Sequence, residues 1–324
     1  MVFLWRWLLL AFAFTLSGEQ IFAASARENR DYAAAAGAFR DGMYDRATSE
    51  FAQFVKKYPD SGQVAGAILL QAQAELKLGE FTNAIALLAA PNSLAKAGKL
   101  ADEYFYWTGE AQFQSTNYAA AAETWVALAQ KYPESRLRLQ AIVEASAAFT
   151  RLGESQEVVA LLEEANGVFQ RAAQKDPGGE QVVRGKLSLA LAKFELKDFA
   201  GASAVLEPLL DLKAVKPELR RQCALLLYQI KFAAGETDAA LAVTANLLQI
   251  AQLEKNNDWV AEGTALRAEA LEKLARPTEA IAVYQDNLAN APVPWQRDAI
   301  LKICHKPVKA IYLVFLSVQQ VKEC

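Results

Sequence analysis

A single histidine, His305, stands beside Cys304. An imidazole and a thiol side by side suggest a metal site or a thiol nucleophile. Adjacent residues seldom turn onto one ion, however, and no further ligands follow at metal-binding spacing. The expectation is a solvated tail histidine, with no metal. Without histidine elsewhere, the usual general base is missing. Glu163-Glu164 supplies carboxylates, but the pair reads as the solvated face of a helix. Gly178-Gly179 lacks the lysine and the preceding strand that a phosphate loop needs. The residues therefore point away from catalysis, and no cofactor is expected.

The three cysteines, Cys223, Cys304 and Cys324, do not form a disulfide framework. Cys223 falls among leucines on a predicted helix and reads as a small buried hydrophobe. A net charge of −3 argues against non-specific nucleic-acid binding, which needs a basic surface. No small-molecule substrate is indicated.

The elements that would carry a surface are set by a repeat. Gly42, Gly79, Thr116 and Gly153 follow one another at steps of 37 residues. Five residues after each comes Ala47, Ala84, Ala121 or Val158, and four further on Phe51, Leu88, Trp125 or Leu162. Such a period marks a stacked repeat architecture. In the first copy, an alanine-rich helix ends at Asp41-Gly42, where glycine can take a left-handed cap. A second helix runs from about Asp45 to Lys57, and Tyr58-Pro59 stops it. Asp60 and Ser61 are candidate N-caps for the next helix. The small residue marks the crossing of two antiparallel helices, opposite Ala35, Ala72, Gly109 or Ser146. Later copies have their small residues at Ala202, Ala240 and Ala280, at steps of 44, 38 and 40. The long step contains Gln174 to Gly179, which reads as a hinge or as an ordinary loop in a longer hairpin.

The third copy, residues 103–135, resembles the tetratricopeptide repeat family through Gly109, Phe113, Tyr118, Ala121, Trp125, Leu128 and Pro133. The resemblance implies an all-α, right-handed superhelical solenoid of antiparallel helix pairs, about seven repeats long. The hairpin ends Lys57-Tyr58-Pro59-Asp60-Ser61 and Lys131-Tyr132-Pro133-Glu134-Ser135 are similar to bacterial envelope repeats. Those of the Tol-Pal accessory protein and of the outer-membrane barrel-assembly lipoprotein are of this kind. The family lines its concave groove with first helices, which here implies Tyr32, Ala36, Leu69, Gln73, Tyr106, Glu110, Val143 and Ala147. None of these is Lys or Asn, so the clamp that one subclass uses on acidic C-terminal peptides is not implied. Candidate partner-binding residues are Tyr32, Lys77, Tyr106, Glu110, Phe113, Gln114 and Arg151. Phe113 has an alternative role, packing between helices.

The expected organisation is a signal peptide over 1–26, repeats one to four over 27–170, a linker or hinge over 171–181 and repeats five to seven over 182–292. An atypical cap or truncated tail follows over 293–324. Arg6, the apolar run from Leu8 to Leu16 and the small residues Ala23 to Ala26 suggest export. The expected function is a non-catalytic scaffold in the bacterial envelope that binds protein or peptide partners. The alternative is the helical portion of a larger envelope enzyme or peptidoglycan-synthase activator.

Overall fold

The computed structural model describes residues 26–287. The leader and hydrophobic N-terminal run, Pro292, His305, Cys304, Cys324 and the tail lie outside the described residues. The chain divides between Leu152 and Gly153 into two compact units. Both are helical throughout, and among the described residues no strand occurs. No helix there is long and apolar enough to cross a membrane.

The first unit opens with α1 (26–40), followed by α2 (Tyr44–Lys57), α3 (Val64–Lys77) and α4 (Phe81–Ala89). A short α5 (Pro91–Ala97) and a 3-10 turn (Gly98–Leu100) lead into α6 (Ala101–Gln114), α7 (Tyr118–Lys131) and α8 (Arg138–Leu152). The second unit holds α9 (Ser155–Leu162), α10 (Val168–Lys175), α11 (Glu180–Glu195), α12 (Phe199–Leu210), α13 (Pro217–Ala233), α14 (Thr237–Leu253), α15 (Asn257–Lys273) and α16 (Pro277–Asn287).

Every expected turn landmark takes the left-handed conformation. Gly42, Gly79, Gly153 and Gly235 have φ between 75° and 80°, and Thr116, Lys197 and Ala275 have φ of 64°, 65° and 56°. The next amide reaches back five residues, as in Glu80 N–H to the Glu75 carbonyl at 2.8 Å and Asn117 N–H to Gln112 at 2.8 Å. This closure satisfies carbonyls that a helix end leaves open. Asp198 then caps α12 by accepting from the Gly201 amide at 2.9 Å.

The small residues sit at the crossings. Ala47, Ala84, Ala121, Val158, Ala202 and Ala240 are fully buried, as are Phe51, Leu88, Trp125 and Leu162 one turn later. Gly109 is required by its partner: a Cβ there would lie 2.6 Å from Trp125 Nε1. Cys223 is fully buried as expected, and burial pushes its thiol up to about 12.

Three local expectations change. Ser61 does not cap α3, which begins at Val64. Its hydroxyl instead accepts from the Gln63 amide and donates to Glu28, so it ties the hairpin end to α1. Glu163 and Glu164 lie past the end of α9, not along its face. Glu163 pairs with Lys193 of α11 at 3.0 Å. The long step of the repeat contains an inserted helix, α10, whose Phe169 is 2 % exposed and packs where Gly185 has no side chain.

Candidate partner-binding groove

The first helices of the copies in the first unit are α1, α3, α6 and α8. Their equivalent positions recur every 37 residues, so like positions form ladders from copy to copy. The last-turn ladder is Arg40, Lys77, Gln114 and Arg151, and all four are exposed. The ladder one turn earlier is Ala36, Gln73, Glu110 and Ala147, and all four are half-buried. Above it stand Tyr32, Leu69, Tyr106 and Val143. Here the expectation of an open wall changes: Leu69, Tyr106 and Val143 are 5 %, 9 % and 4 % exposed.

Tyr106 is anchored on three sides. Its hydroxyl accepts from Gln140 Nε2 of α8 at 2.7 Å. Its backbone carbonyl accepts from Trp125 Nε1 at 3.1 Å. Its ring meets Trp107 edge-on, centroids 5.6 Å apart. Burial holds its phenol above the usual range, and the Glu144 and Glu110 carboxylates push the same way. These two acids lie beside the phenol, while Lys77 and Arg151 are exposed at the outer ladder. Glu110 also accepts from Gln114 Nε2 at 2.6 Å, which fixes the carboxylate on the exposed side of α6.

Tyr32 is half-buried. Its ring lies edge-on to Phe51 and Phe54, with centroids 5.8 and 5.5 Å away, and burial raises its phenol. Phe113 packs between helices, 5.0 Å from the Tyr118 ring and 5.9 Å from Trp125. Tyr106, Glu110 and Gln114 therefore come together on α6. Lys77 and Arg151 occupy the ladder position of Gln114 on α3 and α8. Tyr32 and Phe113 are framework residues with partial exposure. Sequence reasoning missed Gln140 and Glu144. Gln140 lies 34 residues after Tyr106, three short of the repeat, which is the offset that brings one first helix against the next.

A shallow pocket of about 290 Å³ lies elsewhere, at the hairpin end lined by Gly98, Lys99, Asp102, Lys131, Tyr132 and Ser135. Lys131 lies over the Phe105 ring at 4.8 Å, and Ser135 donates to Asp102 at 2.5 Å. These contacts tie α7 to α6. Among the described residues, no group of three His, Cys, Asp or Glu side chains could hold a metal ion.

The family model for the tetratricopeptide repeat matches residues 23–61 and 103–135. No curated protein matches the chain in sequence. Among solved structures, it is similar to the C-terminal part of a tetratricopeptide repeat-containing protein from Cytophaga hutchinsonii. That match has 16% identity and a TM-score of 0.60, covering 83% of this chain and 99% of the other. A tetratricopeptide repeat protein from Parabacteroides merdae matches at 12% identity and a TM-score of 0.53, covering 86% and 99%. The apo form of RapI matches at 12% identity and a TM-score of 0.64, covering 90% and 86%. At these identities the likeness is one of fold. Two stretches of the chain thus match the tetratricopeptide repeat, and the fold is an all-helical, tetratricopeptide-like solenoid.

Proposed function

We propose that the chain is a non-catalytic scaffold that holds a partner peptide on the α6 and α8 face of its first unit. The observation that supports this most is the charged rim around Tyr106. Glu110 and Glu144 act on its hydroxyl, Gln114 is exposed beside Glu110, and Lys77 and Arg151 are exposed at the same position in the neighbouring copies. A packed aromatic floor under a polar, accessible rim is the usual anatomy of a binding hot spot. Glu110 and Glu144 would face a Lys or Arg of the peptide and the exposed Lys77 and Arg151 an acidic residue, so added salt would weaken the capture.

Tyr106→Ala is a poor test, because it empties a nearly buried site. Glu110→Lys with Gln114→Ala changes the rim alone. Purified full-length protein carrying this pair is expected to keep its helicity by circular dichroism. It is also expected to lose at least tenfold in affinity for a partner peptide, measured by fluorescence anisotropy. Unchanged affinity at intact helicity would remove this site.

We also propose export to the bacterial cell envelope, from the sequence pattern of residues 1–26. Mass spectrometry of the chain expressed in a Gram-negative host is expected to find the mature protein in the periplasmic fraction, beginning after Ala23 or Ala26. An intact chain in the cytosolic fraction would contradict export.

A further inference from the structure

The second unit contains a contact whose hydrogens do not add up with every carboxylate ionised. The Tyr228 hydroxyl of α13 lies 3.0 Å from the Leu266 carbonyl of α15 and 3.0 Å from Glu269 Oε2. A phenol has one hydrogen, and a carbonyl and a carboxylate are both acceptors. The two short contacts must therefore share one hydrogen, at a loss of strength to each, unless Glu269 brings its own. If Glu269 is a neutral acid, it donates to the Tyr228 oxygen, and Tyr228 donates to Leu266. All three oxygens are then satisfied.

Among the described residues, Glu269 makes no ion pair, and the cation one turn further along α15, Lys273, is exposed. From α13 it meets Tyr228, which is 3 % exposed, while Lys231 on that helix is held by Glu207 and Glu236 at 3.0 and 2.9 Å. Arg221, nearer the start of α13, is committed to Glu262 and Glu218. From α14 the one charged residue is Asp238, which acts on Arg276. From α16, Glu279 is bound to Arg276, and Tyr284 pairs with Glu272. On α15 itself, Arg267 acts on Glu279, Glu269 helps to raise the carboxyl of Glu272, and Lys273 is exposed one turn after Glu269. Burial pushes Glu269 above the usual carboxylate range, with Tyr228 opposing it.

We propose that Glu269 is held as the neutral acid in the folded chain and that its proton closes the contact between α13 and α15, making the seating of the seventh repeat on the sixth sensitive to pH. This reading is independent of the groove in the first unit. The sign follows from linkage: the folded chain binds this proton more tightly than the unfolded chain. The contact is complete below the carboxylate range of the unfolded chain. It is lost as pH rises through the folded value.

Glu269→Gln keeps a donor at the same place and cannot ionise. Thermal unfolding of the full chain, wild type against Glu269→Gln, from pH 5 to pH 9, reads the effect. The variant's advantage in Tm is expected to widen with pH, by about 2 °C for each tenfold difference in proton affinity between the folded and unfolded wild-type chains. A gap that stays flat across the range overturns the proposal. Should the variant fail to fold, carbon-13 carboxyl NMR of glutamate-labelled wild type decides, with assignment through Tyr228→Phe. A Glu269 signal that titrates above the ordinary glutamate range supports the proposal. One that titrates within or below that range overturns it.

Discussion

Thr116 has φ 64° at the turn position that Gly42, Gly79 and Gly153 occupy in the neighbouring copies. A β-branched residue is strained there, because its side chain crowds the backbone, at a cost of about 1–2 kcal/mol. Thr116→Gly is expected to stabilise the chain by roughly 0.5–1 kcal/mol, the difference left after glycine's extra backbone entropy. A higher Tm or denaturant midpoint checks it, and an unchanged or lower one contradicts it. The opposite holds at Gly109, where a Cβ would press to 2.6 Å of the Trp125 indole. Gly109→Ala is expected to cost about 1–3 kcal/mol in a denaturant titration, since a filled crossing must shift to admit it. Both positions were legible in the sequence, because each is fixed by backbone geometry or by the size of one partner. Glu75 was not. It is 4 % exposed, its Oε1 accepts from Gln71 at 2.9 Å, and its Oε2 is buried without a partner. Burial raises its carboxyl, opposed by the Gln71 bond and reinforced by Glu80. The folded chain therefore favours the protonated form, and stability falls as pH rises through the raised value. Glu75→Gln is expected to gain in Tm over wild type as pH rises. An advantage that shrinks with pH would contradict this reading. A glutamate in a helical pattern reads as solvent-facing, and only the packing around Glu75 shows otherwise.

At the scale of the element, the recurring hairpin end turns out to be a tie between helices. In the first copy, Lys57 and Tyr58 reach Asp31 of α1 at 2.7 and 2.8 Å. In the third copy the equivalent of Asp31 is Phe105. There Lys131 lies over the ring at 4.8 Å and Tyr132 meets it edge-on at 5.5 Å. The same Lys-Tyr pair thus grips a carboxylate in one copy and an aromatic face in the other. Serine completes both ties, from Ser61 to Glu28 and from Ser135 to Asp102. Ser135→Ala removes the hydroxyl that both accepts from the Leu137 amide at 3.0 Å and donates to Asp102. Its expected cost is about 1 kcal/mol. Faster hydrogen exchange is expected at the start of α8, and unchanged exchange there would contradict the tie. The sequence showed the recurrence of this word. Its purpose depended on residues 33 positions upstream that carry no motif of their own. The inserted helices α5 and α10 were illegible for a similar reason: they are short, and tertiary contacts such as Phe169 against Gly185 support them.

Across the molecule, the repeat set the architecture because its period is imposed by the geometry of stacked helix pairs. Seven turns in the left-handed region, from Gly42 to Ala275, follow the landmarks read from the chain. The proposed binding face was legible only in outline. The residues nominated on α6 lie together, but burial makes Tyr106 a floor and leaves Glu110 and Gln114 as the accessible rim. Gln140 and Glu144, from the next copy, reach the Tyr106 hydroxyl of the proposed face. The central claim is that this face of the first unit holds a partner. Site-specific photo-crosslinking in the native host tests it most directly, with the probe at Gln114 or, as the comparison, at exposed Glu123 of α7. The account predicts a discrete adduct from Gln114 that Glu110→Lys abolishes, and none from Glu123. No adduct at Gln114, or equal adducts at both positions, would contradict it.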